Sequence, residues 1–219
     1  MAPKVKGVIF DMDGLMFDTE RIWDQFWSPC CRKMSLPDPP PEFYSNGRGL
    51  AGEHQLQYIA GYYGDKAEEL LLAVWAYGGE QIKKGVPCKP GLKELLSYLE
   101  DLGMPRIVAS SSPRTMVELN LQTTGTARYF HDIVCGNEVK LCKPAPDIFL
   151  EAARRIKVDI HDCMVLEDSH NGIRAGHASG AETVMVPDLL PVTDEMRSLY
   201  DDCCKDLFEV KAKMEQGVL

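Results

Sequence analysis

Hydrophobic and polar positions fall into two regimes along this chain. Gly7-Val8-Ile9-Phe10 is a short apolar run that ends on Asp11, Met12, Asp13 and Gly14, the pattern of a buried strand closed by a turn. After the turn the period becomes helical. Ile22, Phe26 and Cys30 share one stripe with Trp23 and Trp27 beside it, and Pro29 is expected to interrupt that helix or end it early. Residues 37–41 read as a loop. Leu56, Ile59 and Tyr63 mark a second helix, and Leu70, Leu71 and Val74 a third, so residues 17–84 read as entirely helical. Gly85, Pro87, Pro90 and Gly91 punctuate a linker.

Beyond the linker the two periods alternate. Helices are expected at 92–102, 113–123, 146–156 and 169–179, and strands at 106–109, 133–135, 163–166 and 183–186. Strands separated by helices predict an α/β fold with a parallel sheet covered on both faces. The helical block is then an insertion. The expected division is a core of residues 1–16 and 85–219 and an all-α cap of residues 17–84.

In such sheets ligands bind beyond the carboxyl ends of the strands. Asp11 and Asp13 follow the first strand, and side chains at i and i+2 of an extended backbone share a side. Ser110-Ser111-Ser112 follows the second, Lys143-Pro144 lies after the third, and Glu167-Asp168-Ser169 follows the fourth. Each has a plainer alternative. Ser112 before Pro113 has the form of a helix N-cap, Asp168 or Ser169 could cap the next helix, and Lys143 could be a solvated lysine. On one rim, however, carboxylates, hydroxyl and lysine together form a site for a metal and a phosphate. Gly172, Gly176 and Gly180 share one helical face, which predicts close helix-to-sheet approach, with Gly180 as a possible C-cap.

Composition narrows the field. The 219 residues carry a net charge of −9 without a basic run, which argues against nucleic acid or an anionic membrane as partner. The apolar content near the start is too small for a signal peptide, and no apolar run is long enough for a bilayer. The eight cysteines show no C-x-x-C and the five histidines no zinc spacing. Reduced thiols in a cytoplasmic protein are expected.

Asp11-x-Asp13-Gly14, Ser110, Lys143-Pro144 and Glu167-Asp168-Ser169 together resemble the four motifs of the haloacid dehalogenase-like hydrolase superfamily. Lys143-Pro-Ala-Pro-Asp-Ile-Phe and Glu167-Asp-Ser-x-x-Gly172-Ile are similar to its β-phosphoglucomutase-like branch. The resemblance implies a doubly wound Rossmann-like core with a helical cap inserted after the first motif. It implies Asp11 as nucleophile, transiently phosphorylated, and Asp13 as general acid and base. It further implies Ser110, Ser111 and Lys143 as phosphate ligands, and Asp11, Asp13 (through its carbonyl), Glu167 and Asp168 around Mg2+. Trp27, Arg48 and Gly49 are candidate cap contacts to substrate, although cap core is the favoured reading of Trp27 and Arg48 fits a surface charge equally well.

Two departures from the mutase pattern stand out: Trp23 where the mutase has a cap histidine, and Gly52 where its loop carries an arginine. They favour a Mg2+-dependent phosphatase of small phosphorylated metabolites, such as sugar phosphates, over a phosphosugar mutase. A non-catalytic phosphometabolite-binding protein is a third reading. The expected state is monomeric.

Overall fold

The computed structural model describes residues 3–48, 50 and 52–219. Six strands, β1 (Gly7–Phe10), β2 (Arg106–Ser110), β3 (Ile133–Cys135), β4 (Cys163–Glu167), β5 (Glu182–Met185) and β6 (Asp202–Cys203), form one parallel sheet. Their order is β3-β2-β1-β4-β5-β6, so the chain reverses direction across the sheet beside β1. All four residues of β1 and all five of β4 are buried, as continuous apolar runs in a doubly covered sheet require.

The period of two sorts the strand residues onto two faces. Val8, Phe10, Val108, Met164 and Leu166 pack on one face against α5 (Leu92–Asp101), α6 (Arg114–Thr123) and α10 (Leu207–Glu215). Ile9, Ile107, Ala109, Cys163 and Val165 face the other way, onto α7 (Asp147–Ile156) and α8 (His170–Ser179). A separate apolar cluster holds the inserted helices α1 (Thr19–Lys33), α2 (Pro41–Gly47), α3 (Gly52–Tyr63) and α4 (Ala67–Ile82) together. This is the doubly wound α/β core with a helical cap. The two connections to the cap lie side by side, since the Asp18 amide donates to Pro87 O at 3.0 Å and the Lys89 amide to Met16 O at 2.9 Å.

Several expectations need correction. Pro29 neither ends nor interrupts α1, which continues to Lys33. The lost backbone bond is offset because Phe26, Trp27, Cys30 and Cys31, on either side of it, are buried in the cap core. The loop expected at 37–41 stops at Pro40, and Pro41 opens α2, a helix too short to show a period. The region after β5 adds α9 (Asp194–Arg197), β6 and α10, none of them expected. For α10 a signal was present. Asp206 caps it by accepting from the Glu209 amide at 2.9 Å, and Glu209 reaches back to the Lys205 amide at 2.9 Å.

All eight cysteines are free. Burial pushes the Cys135, Cys163 and Cys204 thiols up, to about 11, 12 and 12, and so keeps them protonated. Among the described residues no helix is long and apolar enough to cross a membrane.

Candidate active site

Parallel strands bring their carboxyl ends to one rim, and the predicted core residues meet there. Asp11 follows β1 directly, with its amide donating to Leu166 O at 3.0 Å and its side chain buried. Glu167 ends β4 and Asp168 follows it; both are buried. Carboxylate oxygens of Asp11, Glu167 and Asp168 lie within 4.8 Å of one another. Lys143, also buried, donates from Nζ to Asp11 Oδ1 at 2.5 Å and to Glu167 Oε2 at 2.9 Å, so it is no solvated lysine. Its ammonium also sits 4.9 Å from the centroid of the Phe149 ring.

Glycines make room for this cluster. Gly14 has φ +83°, and a Cβ there would stand 2.2 Å from Asp168 Oδ2. At Gly172 a Cβ would stand 1.6 Å from Glu167 Oε2. The glycine face of α8 thus serves three ends: Gly172 admits the Glu167 carboxylate, Gly176 admits Thr183 of β5, and Gly180 forms the left-handed C-cap. Ser169 does cap α8, accepting from the Gly172 amide at 3.1 Å, and its hydroxyl also donates to Glu167 Oε1 at 3.0 Å. Capping and site-building are one arrangement here.

Three carboxyl groups facing one ammonium leave negative charge in excess. Burial and the neighbouring Glu167 push Asp11 well above the usual carboxylate range, against the opposing pull of Lys143. Asp168 is pushed up by burial, Glu167 and Asp11. Burial works against the charged form of Lys143, yet Asp11 and Glu167 outweigh it and hold its pKa above the ordinary value. Asp168 Oδ1 is buried with no hydrogen-bond partner, an expense that a cation at this point would remove. An all-oxygen donor set of this kind suits a hard divalent ion.

Asp13 occupies a different network. Its Oδ1 accepts from Thr19 Oγ1 at 2.6 Å, and its Oδ2 from Ser112 Oγ at 2.7 Å and Ser110 Oγ at 3.4 Å. Its side chain is therefore apart from the three-carboxylate cluster. Ser112 is not a helix cap; α6 starts at Arg114 with no side-chain cap bond. The tripeptide turns Ser112 toward Asp13 and leaves Ser111 and Ser112 half-buried on the cavity wall, whereas Ser110 is buried. Thr19, fully buried at the start of α1, was not among the expected site residues. Only its place six residues after Asp13, beyond a turn, could have pointed to it.

The cap faces this rim across a cavity of about 490 Å3. Trp27 and Arg48 both line it. Trp27 is cap core as well, packed edge-on to Phe43 at 4.9 Å. Arg48 is no free surface charge: it pairs with Asp24, and its Nε lies 4.0 Å from Glu20 Oε2. Gly49 lies outside the described residues. Glu20 also lines the cavity, and burial together with the Asp13 and Asp24 carboxylates pushes it up to about 7.

Residues 8–186 match the family profile described as haloacid dehalogenase-like hydrolase. The "Probable pseudouridine-5'-phosphatase" of Drosophila melanogaster is 35% identical over 201 residues, covering 84% of this chain and 83% of that protein. Hexitol phosphatase B of Escherichia coli (strain K12) is 27% identical over 219 residues, with 96% of each chain covered. The crystal structure of CbbY from Rhodobacter sphaeroides in complex with phosphate superposes with a TM-score of 0.84. At 21% identity, over 94% of this chain and 96% of that one, the last similarity speaks for the fold alone.

Proposed function

The chain belongs to the haloacid dehalogenase-like hydrolase family and is a phosphoric monoester hydrolase; from that premise we propose that it is a Mg2+-dependent phosphatase of small phosphorylated metabolites, sugar phosphates among them, acting through a phosphorylated Asp11. The observation that carries this reading is the convergence of Asp11, Glu167, Asp168 and Lys143, with one Asp168 oxygen buried and unpartnered. The oxygen donors fit Mg2+, which Asp11, Glu167, Asp168 and the Asp13 carbonyl would hold. Bound there, Mg2+ supplies charge neutralisation for the phosphoryl oxygens.

The surroundings of each residue support its proposed role. Asp11 attacks the phosphorus atom, the bond to the ester oxygen breaks, and water later releases phosphate, so one hard displacement becomes two easier ones. Lys143 balances the charge on Asp11 and on the transferring group. Asp13, bonded to Thr19, Ser112 and Ser110 and apart from the carboxylate cluster, would give a proton to the leaving oxygen and take one from water; its separate network supports that division of roles. Ser110, Ser111 and Lys143 serve as phosphate ligands. Residues 1–16 and 85–219 form the catalytic unit and 17–84 the cap. A cytoplasmic monomer is the setting this reading assumes.

Against the mutase alternative stands Arg48, the cap cation lining the cavity, already held between Asp24 and Glu20. The test is phosphate release from a panel of metabolite phosphates and p-nitrophenyl phosphate, without a bisphosphate activator, in Mg2+ and in chelator. Release that stops in chelator and returns with Mg2+ is expected. Absence of release from every ester, or release indifferent to chelator, would overturn the proposal.

A further inference from the structure

The far side of the cavity has a composition of its own. Trp23, Tyr44, Tyr58 and Trp75, all half-buried, line it from the cap. Trp23 is fixed, edge-on to Phe26 at 5.4 Å and backed by Gly78, where a Cβ would come within 2.2 Å of its ring. Tyr58 is fixed by its hydroxyl, which donates to Phe43 O at 3.1 Å. Trp75 differs. Among the described residues it makes no ring contact and its indole N–H has no protein partner, although it packs on the cap core. A preorganised aromatic wall with one unengaged indole suits a flat ring, because stacking is sequence-tolerant and costs little ordering of rigid side chains.

The charges on this side point the same way. Arg48 is the cation that the described cap residues contribute to the lining, and two carboxyl groups, Asp24 and Glu20, already face it. A second phosphate here would meet two acids and a guanidinium with no charge to spare, and desolvating such an arrangement is costly. Glu20 and Asp24 would instead receive hydrogen bonds from hydroxyl or N–H groups.

Resting on the phosphatase reading above, we infer that the cavity selects phosphate monoesters whose alcohol half is uncharged and carries a flat ring, and that Asp24 and Glu20 reject a second phosphate. Binding is measured by tryptophan fluorescence in Mg2+ with the Asp11→Asn protein, which separates recognition from turnover. The probes are uridine 5'-monophosphate, ribose 5-phosphate and uridine 3',5'-bisphosphate. The monophosphate with the ring is expected to bind about tenfold more tightly than either of the others. Trp75→Leu should bring its affinity close to that of ribose 5-phosphate. Asp24→Asn should narrow the gap to the bisphosphate about tenfold.

Equal binding of uridine 5'-monophosphate and ribose 5-phosphate would overturn the inference, as would a bisphosphate that binds as well as the monophosphate. If the wild-type protein meanwhile releases phosphate from p-nitrophenyl phosphate, only this inference fails and the phosphatase reading stands.

Discussion

The rim of the sheet and the wall of the cap face each other across one cavity, but they are built on different physics. On the rim, buried carboxylates crowd around one lysine; backbone amides hold Glu167, and glycines admit Glu167 and Asp168 at close range. On the cap, aromatic rings pack edge to face and the charged groups are partly exposed and paired with each other. The rim gathers an excess of buried negative charge, with one Asp168 oxygen left unpartnered, whereas the charged groups of the cap wall largely pair with each other. A site divided this way keeps its chemistry constant while its choice of substrate depends on side-chain packing.

The sharpest way to break the contrast is Lys143→Ala. It leaves Asp11, Glu167 and Asp168 with no cation, which should cost about 3 kcal/mol of stability in chelator. Added Mg2+ should restore much of that in denaturation experiments. Equal stability of variant and wild type in chelator would mean that the excess of charge at the rim costs nothing.

Next come two glycines, one on each side. Gly172→Ala drives a Cβ into the Glu167 carboxylate and should weaken Mg2+ binding about 10–100-fold, leaving KM at saturating metal nearly unchanged. Gly78→Ala drives a Cβ into the Trp23 ring and should raise KM severalfold, about fivefold, with Mg2+ affinity unaltered. If either variant moved both quantities together, metal titrations and steady-state kinetics would show the two regions to be one.

The smallest expected effect belongs to neither region. Glu138 accepts from Arg114 Nε at 2.7 Å and Arg155 at 2.8 Å, and the two arginines hold it below the ordinary glutamate value. Its stabilisation is complete above the unfolded value of about 4.3 and is lost as pH falls through the lower folded value. Glu138→Gln should cost about 1 kcal/mol near neutral pH, and less in acid, with Mg2+ affinity and KM unchanged. A cost that grows on acidification would contradict this assignment.

The rim was legible in the sequence because short apolar strand runs end on Asp11, Ser110 and Glu167, and a parallel sheet must bring those ends together. The apolar stripe of α1 was legible too. What Pro29 does within it was not, because burial of its neighbours outweighs one lost backbone bond only once the cap is assembled. Ser112 looked like a cap because cap and turn share a local pattern, and only the approach of Asp13 decides where its hydroxyl goes. Arg48 could be placed in the cap but not paired, since Asp24 and Glu20 lie on α1, which only the fold brings beside it. β6, at two residues, carries no period at all, whereas the start of α10 was marked by Asp206 and Glu209.

The proposed chemistry turns on Asp11 forming a bond to phosphorus. Rapid quenching of the wild-type protein with an ester labelled in its phosphoryl group should trap label on the peptide that contains Asp11 before free phosphate accumulates. Asp11→Asn should trap none and turn over at least about 10³-fold more slowly while remaining folded. Turnover by the wild-type protein with no label ever reaching Asp11, together with an active Asp11→Asn protein, would contradict it.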